Sequence, residues 1–192
     1  MELGDILNKA KSTASGRKAQ QTTADIPFVR AGEDPTTRPS SSKPRRSILD
    51  GVGDWQMRID LGKRLRFPDV VTTTLRPDIV VWSESHKKLF MVELTVPWEE
   101  AMDAAFERKK DKYHDLEEDV KHKGWTARTF PVEIGTRGFS GQSLHRLLSS
   151  FAVLGRDRCT AVRRLSEAAE KASCWLWFRR EQREWKPSSD GQ

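Results

Sequence analysis

Cysteine is almost absent from the chain. The two in 192 residues, Cys159 and Cys174, lie fifteen positions apart, a spacing that fits neither zinc ligation nor a disulfide framework, so both are expected as free thiols. The four histidines, His86, His114, His122 and His145, are scattered without ligand spacing, so the sequence gives no sign of a zinc knuckle. Long apolar runs are missing as well: at 36% hydrophobic and 32% charged residues, no segment approaches the roughly 20 apolar residues of a membrane-spanning helix. No secretory signal is recognisable at the start. These absences predict an intracellular or nuclear protein with no membrane partner. No internal repeat is visible.

What is present is positive charge, unevenly placed. The net charge is +6; residues 1–47 carry nine Lys/Arg against five acids and residues 156–186 again nine against five, leaving the middle close to neutral. Basic flanks around a neutral centre suit attraction to phosphates, and they suit ordinary solubilising charge equally well.

Residues 8–47 are rich in Ser, Thr, Pro, Lys and Arg with few apolar anchors, too few to offset the entropy of ordering. Residues 1–47 are therefore expected to form a disordered basic arm with a short helix near its start. Within it Lys43, Arg45 and Arg46 make a small cationic patch, of the kind that serves nuclear import or nucleic-acid contact. The folded domain is expected over 48–186, with 187–192 a disordered tail.

Alternation of Trp55, Met57, Ile59 and Leu61 with polar residues predicts a half-buried first strand. Arg76-Pro77 punctuates entry to a second, Asp78 to Trp82; the polar run Ser83 to Lys88 turns it into a third, Leu89 to Thr95. After Pro97 the acids Glu99 and Glu100 favour a helix start, and the pattern continues unbroken to about Lys123, before Gly124. A fourth strand over about Thr126 to Ile134 contains Pro131 and should be an edge. Helices are predicted over Ser143–Leu154 and Arg156–Glu184, the second with a stripe through Val162, Leu165, Ala169, Ala172 and Leu176.

Fourteen residues separate Asp78 from Glu93, so a hairpin centred between Ser85 and His86 puts the two carboxylates directly opposite on one sheet face. Opposed like charges in an otherwise apolar hairpin are costly, which points to a hard, oxygen-preferring cation such as magnesium; a solvated strand face is the plainer reading. In the following helix Ala101, Ala105, Lys109, Tyr113 and Leu116 recur at spacings of three and four, with Lys112 alongside. Small residues let that face approach the sheet, and the lysines would then reach over the carboxylates to stabilise negative charge. The alternative for this basic run is a solvent face.

Arg76-Pro77-Asp78, fourteen further residues, Glu93-Leu94-Thr95, then Arg108-Lys109 and Lys112-Tyr113 together resemble the restriction-like endonuclease domain at the C-terminus of certain non-LTR retrotransposon polyproteins, a branch of the PD-(D/E)XK nuclease superfamily. The resemblance covers about Phe28 to Trp185 and includes Asp54-Trp55, Leu94 to Trp98, Gly135 to Phe139 and Trp175-Leu176-Trp177. It implies an α/β fold with a restriction-endonuclease-like core, a mixed four-stranded sheet flanked by helices, plus C-terminal helices and the N-terminal arm. It also implies a DNA partner, Mg2+ (or Mn2+) held by Asp78 and Glu93, no small-molecule cofactor, and a catalytic group of Asp78, Glu93, Lys109, Lys112 and Tyr113. Thr95 stands where the superfamily's lysine usually stands, so that lysine's work would fall to Lys109 or Lys112. The reverse transcriptase and Cys/His knuckle that precede this domain in such polyproteins are not in this sequence. The activity implied is metal-dependent nicking of target-site DNA; the alternative is an inactive nucleic-acid-binding or interaction module that keeps the fold.

Three lesser signals accompany the pair. Asp54 or Asp60, near the first strand, is a candidate third metal ligand. Gly135, Arg137 and Gly138 form either a phosphate-contacting turn or a plain strand-to-helix turn. Trp175, Trp177 and Trp185 read as core anchors of an amphipathic helix, with stacking on nucleic-acid bases as the alternative.

Overall fold

The computed structural model describes residues 2–16, 47–51, 53–61, 65 and 67–182. The expected tail over 187–192, the Lys43, Arg45 and Arg46 patch, and Trp185 lie outside the described residues.

The hairpin forms the centre. Strands β2 (Ile79–Ser83) and β3 (Lys88–Thr95) pair antiparallel with Ile79 opposite Val92 and Ser83 opposite Lys88. Their apolar residues are buried on both faces, the continuous pattern of strands covered from two sides. Strand β1 (Gln56–Ile59) adds antiparallel to β2, and β4 (Thr126–Glu133) adds parallel to β3, giving a mixed sheet in the order β1-β2-β3-β4. β4 is an edge, as Pro131 requires. Glu117 covers part of that edge by accepting the Thr129 N–H at 2.6 Å.

A parallel neighbour needs a crossover. Here it is α2 (Met102–His122), preceded by a single 3-10 turn at Glu99–Ala101. Met102, Ala105, Tyr113, Leu116 and Val120 are its buried residues. Ala101, expected on this face, is exposed, because the tighter opening turn shifts the buried row to Met102. Across from α2 the sheet offers Val80, Trp82, Leu89, Met91 and Ala127. The other face carries Ile79, Val81, Phe90, Val92, Phe130 and Val132, under α1 (Glu2–Gly16), α3 (Gln142–Ser150) and α4 (Gly155–Arg179).

Four expectations need correction. The helix expected near the start forms, as α1, but it belongs to the folded body and not to a disordered arm: Leu3 and Leu7 are buried in the core beside half-buried Ile6 and Ala10, an i, i+3, i+4, i+7 stripe. Gly4 lets that helix close on the sheet, since a Cβ there would overlap the Ile59 side chain. Leu61 is exposed, and β1 stops at Ile59. The C-terminal aromatics are not core anchors either. On α4 the buried row is Ala161, Leu165 and Ala169; Ala172, Trp175, Leu176 and Trp177 are exposed because the helix runs on past the body it packs against. The preceding helix also ends early, at Ser150, where Ala152 adopts φ 53° and tucks Phe151 and Val153 into the core.

Candidate functional site

The register of β2 and β3 continues one step beyond Ile79 and Val92 to set Asp78 across from Glu93. Side chains alternate along a strand, so Asp78 shares the α2 face with Val80 and Trp82, and Glu93 shares it with Leu89 and Met91. Asp78 Oδ2 accepts the Leu94 N–H at 2.6 Å, and the Asp78 carbonyl accepts the Asp60 N–H at 2.8 Å. The carboxylate is thereby fixed to β3, and the Asp78 backbone to the residue that follows β1.

α2 supplies the other groups from one helical row. Lys109 Nζ donates to Glu93 Oε1 at 2.6 Å, Lys112 Nζ to the same oxygen at 3.2 Å, and the Tyr113 hydroxyl to Oε2 at 2.8 Å. Positions 109, 112 and 113 fall together because they are three and four apart. All five sequence-predicted site residues thus converge, although Tyr113 meets Glu93 rather than open space. Tyr113 is fully buried and Glu93 only 5% exposed; Lys112 is the most accessible of the donors and also lies 4.8 Å from the Tyr113 ring centre.

Electrostatically, two lysines stand against two carboxylates, so the charge of the pair is compensated from within the protein and does not by itself demand a metal. Burial raises the Asp78 pKa, opposed by the Leu94 N–H, and the Glu93 charge raises it further. Burial, then the bond to Glu93, pushes the Tyr113 hydroxyl far above its ordinary value, so it stays a proton donor that orients Glu93. As oxygen donors, Asp78 and Glu93 are of the chemical type that a hard divalent cation takes, and a cation there would have to share Glu93 with its three protein donors.

The two candidate third ligands separate. Asp54 is at the opposite end of the sheet, where it accepts the Ser83 hydroxyl at 2.6 Å, the Ser85 N–H at 2.9 Å and the Ser85 hydroxyl at 2.7 Å. These bonds, that of Ser83 first, hold its pKa well below the usual carboxylate range, and they make it the clasp of the β2–β3 turn. Asp60 lies beside Asp78, close enough for its charge to raise the Asp78 pKa, and its Oδ1 accepts the Leu65 N–H at 3.0 Å.

Arg137 is engaged by Glu99: its backbone N–H and Nε donate to the two carboxylate oxygens at 2.8 and 3.1 Å. These bonds tie the β3–α2 loop to the β4–α3 loop. Gly135 admits the Glu99 side chain, for a Cβ there would meet its Oε1 at 2.5 Å.

Sequence reasoning passes over Glu133. It is 3% exposed, its Oε2 accepts the Ser143 hydroxyl at 2.6 Å, and its Oε1 has no hydrogen-bond partner among the described residues. Burial raises its pKa. Parity was the available signal: Phe130 and Val132 occupy one face of β4, so Glu133 must occupy the other, the face of Glu93. It lines a cleft of about 550 Å³ with Glu99, Asp103, Phe106 and Arg146.

No known protein family matches this chain, and no curated protein is similar to it.

Proposed function

We propose that the chain is a metal-dependent DNA endonuclease domain of retrotransposon origin that nicks target DNA in the nucleus. The observation that carries this reading is the meeting of Asp78 and Glu93 on one sheet face beneath Lys109, Lys112 and Tyr113. Asp78 and Glu93 would hold Mg2+ (or Mn2+), which when bound supplies Lewis-acid stabilisation of phosphate oxygens and a more acidic water. Tyr113 and Lys109 fix the orientation of Glu93. Lys112, the more exposed lysine, is the one able to turn from Glu93 toward a phosphate and stabilise its developing charge.

Supercoiled plasmid with magnesium is expected to be nicked by the wild-type chain and left at background by Asp78→Ala. Equal cleavage by both proteins would remove Asp78 from the chemistry and sink the assignment.

One observation favours a second reading, an inactive nucleic-acid-binding module that keeps the fold. Both oxygens of Glu93 already accept donors, and Asp78 already accepts a backbone N–H, so the cluster is satisfied without a cation. On that reading binding to DNA falls with salt, no magnesium-dependent nicking occurs, and magnesium titration leaves the protein's thermal midpoint unmoved.

A further inference from the structure

Past Ala169 helix α4 buries nothing more, yet its last turns carry the consecutive apolar run Trp175-Leu176-Trp177-Phe178. Leu176 is 47% exposed, Trp177 55% and Phe178 75%. Successive helix residues are about 100° apart, so these four side chains encircle the helix instead of forming a stripe. A partner helix, a sheet or a bilayer surface covers one stripe and would leave the others in water. Cations are interleaved with the aromatics: the Arg180 guanidinium lies 3.9 Å from the Trp177 ring centre and the Arg179 guanidinium 4.4 Å from that of Trp175. Glu181, paired with Arg180 at 3.5 Å, is the acid on this turn. An encircling set of flat aromatic surfaces with guanidinium groups held against them suits a chain that offers separate flat faces and a phosphate between each: a nucleic-acid strand with unpaired bases.

We propose that the projecting end of α4, through Trp177, Phe178, Arg179 and Arg180, is a docking site for an unpaired stretch of nucleic acid. Bases stack on Phe178 and the exposed indole of Trp177, and the two arginines take the flanking phosphates. In a duplex the base faces are already stacked on one another, so this element discriminates against plain double strands. The proposal rests on the nucleic-acid half of the reading above and is independent of whether Asp78 and Glu93 cleave.

The test uses the full chain and fluorescence anisotropy of labelled oligothymidine, oligouridine and a blunt duplex of the same length. Single strands are expected to bind more tightly than the duplex and to quench tryptophan emission. Trp177→Ala and Phe178→Ala should each weaken single-strand binding on the order of tenfold. Arg179→Gln with Arg180→Gln should flatten the salt dependence by about 0.7 in log–log slope per lost charge. Both side chains are exposed, and an unchanged thermal midpoint for each variant verifies the fold. Preference between oligothymidine and oligouridine identifies the source of the strand, and binding of either supports the proposal. Equal single-strand affinity of wild type and the aromatic variants overturns it. So does equal affinity for duplex, or a concentration-dependent dimer that the same substitutions abolish. Loss of nicking in Asp78→Ala with single-strand binding intact keeps the two readings separable: an inactive wild type whose binding still depends on Trp177 defeats cleavage alone.

Discussion

Glu93 and Glu133 are both buried acids on the α2 face of adjacent parallel strands, Glu93 in register with Pro131 and Glu133 with Thr95, two positions further along. Their surroundings differ sharply. Glu93 receives two ammonium groups and a phenol, all from one row of α2. Glu133 receives the Ser143 hydroxyl on one oxygen and nothing on the other among the described residues. A carboxyl group leaves water at great cost, and these two differ in how it is met: opposite charge is brought to Glu93, whereas burial of Glu133 is met by a single hydroxyl and raises its pKa. The first acid is surrounded by donors that favour a negative charge; the second has one hydroxyl and little else.

The comparison breaks most visibly at Glu93. Glu93→Ala leaves the buried Tyr113 hydroxyl without an acceptor and two lysines facing a cavity, which is expected to cost about 2–4 kcal/mol. Urea denaturation followed by circular dichroism measures it. If Glu133→Ala were to cost as much, the supposed difference between a paired and an unpaired acid would collapse.

Tyr113→Phe is milder, removing one donor and no charge. Its expected cost is about 1–2 kcal/mol, the usual penalty when a buried acceptor loses its partner. On the endonuclease reading it should also slow nicking without abolishing it, since Lys109 still holds the other oxygen of Glu93. Stability equal to wild type would mean that Glu93 gains neither support nor orientation from the phenol.

How far these features were legible in the sequence follows from what each depends on. The opposition of Asp78 and Glu93 was readable because a symmetric tight hairpin gives its register by counting; a slip by two was the other register open to the sequence, and the structure pairs Ile79 with Val92 as the symmetric count requires. The row 109, 112, 113 was readable from helical period, and Pro131 marked β4 as an edge. The α1 stripe was hidden by a polar sequence context: Leu3, Ile6, Leu7 and Ala10 are few apolar residues, and only packing on the sheet makes them a core face. The exposure of Trp177 was equally hidden, because amphipathic period does not reveal where the supporting body ends. Asp54 and Asp60 differ only in which end of the sheet they occupy, a matter of strand direction that their positions near β1 leave open. Parity with Phe130 and Val132 made the face of Glu133 readable, but placing it beside Glu93 required knowing that β4 joins β3 in parallel, which is tertiary information.

The smallest effect is the most diagnostic of the contrast. Glu133→Gln keeps an acceptor for the Ser143 hydroxyl and removes the charge. Because the folded pKa of Glu133 is raised above its ordinary value of 4.5, the folded state holds the proton longer than the unfolded state does. Between 4.5 and the raised value the folded state therefore binds more protons, and wild-type stability falls as pH rises; above that window the penalty stays constant. The variant carries no such penalty, so it should be more stable than wild type at neutral pH, with the advantage disappearing as pH falls below 4.5. Asp78, whose pKa burial also raises, contributes the same pH dependence to both proteins and cancels in the difference. Chemical denaturation of the two proteins across that range measures it directly. An advantage that persists unchanged into acid would trace to packing instead, and a destabilised variant at neutral pH would mean that the fold compensates the Glu133 charge after all, making it a second Glu93.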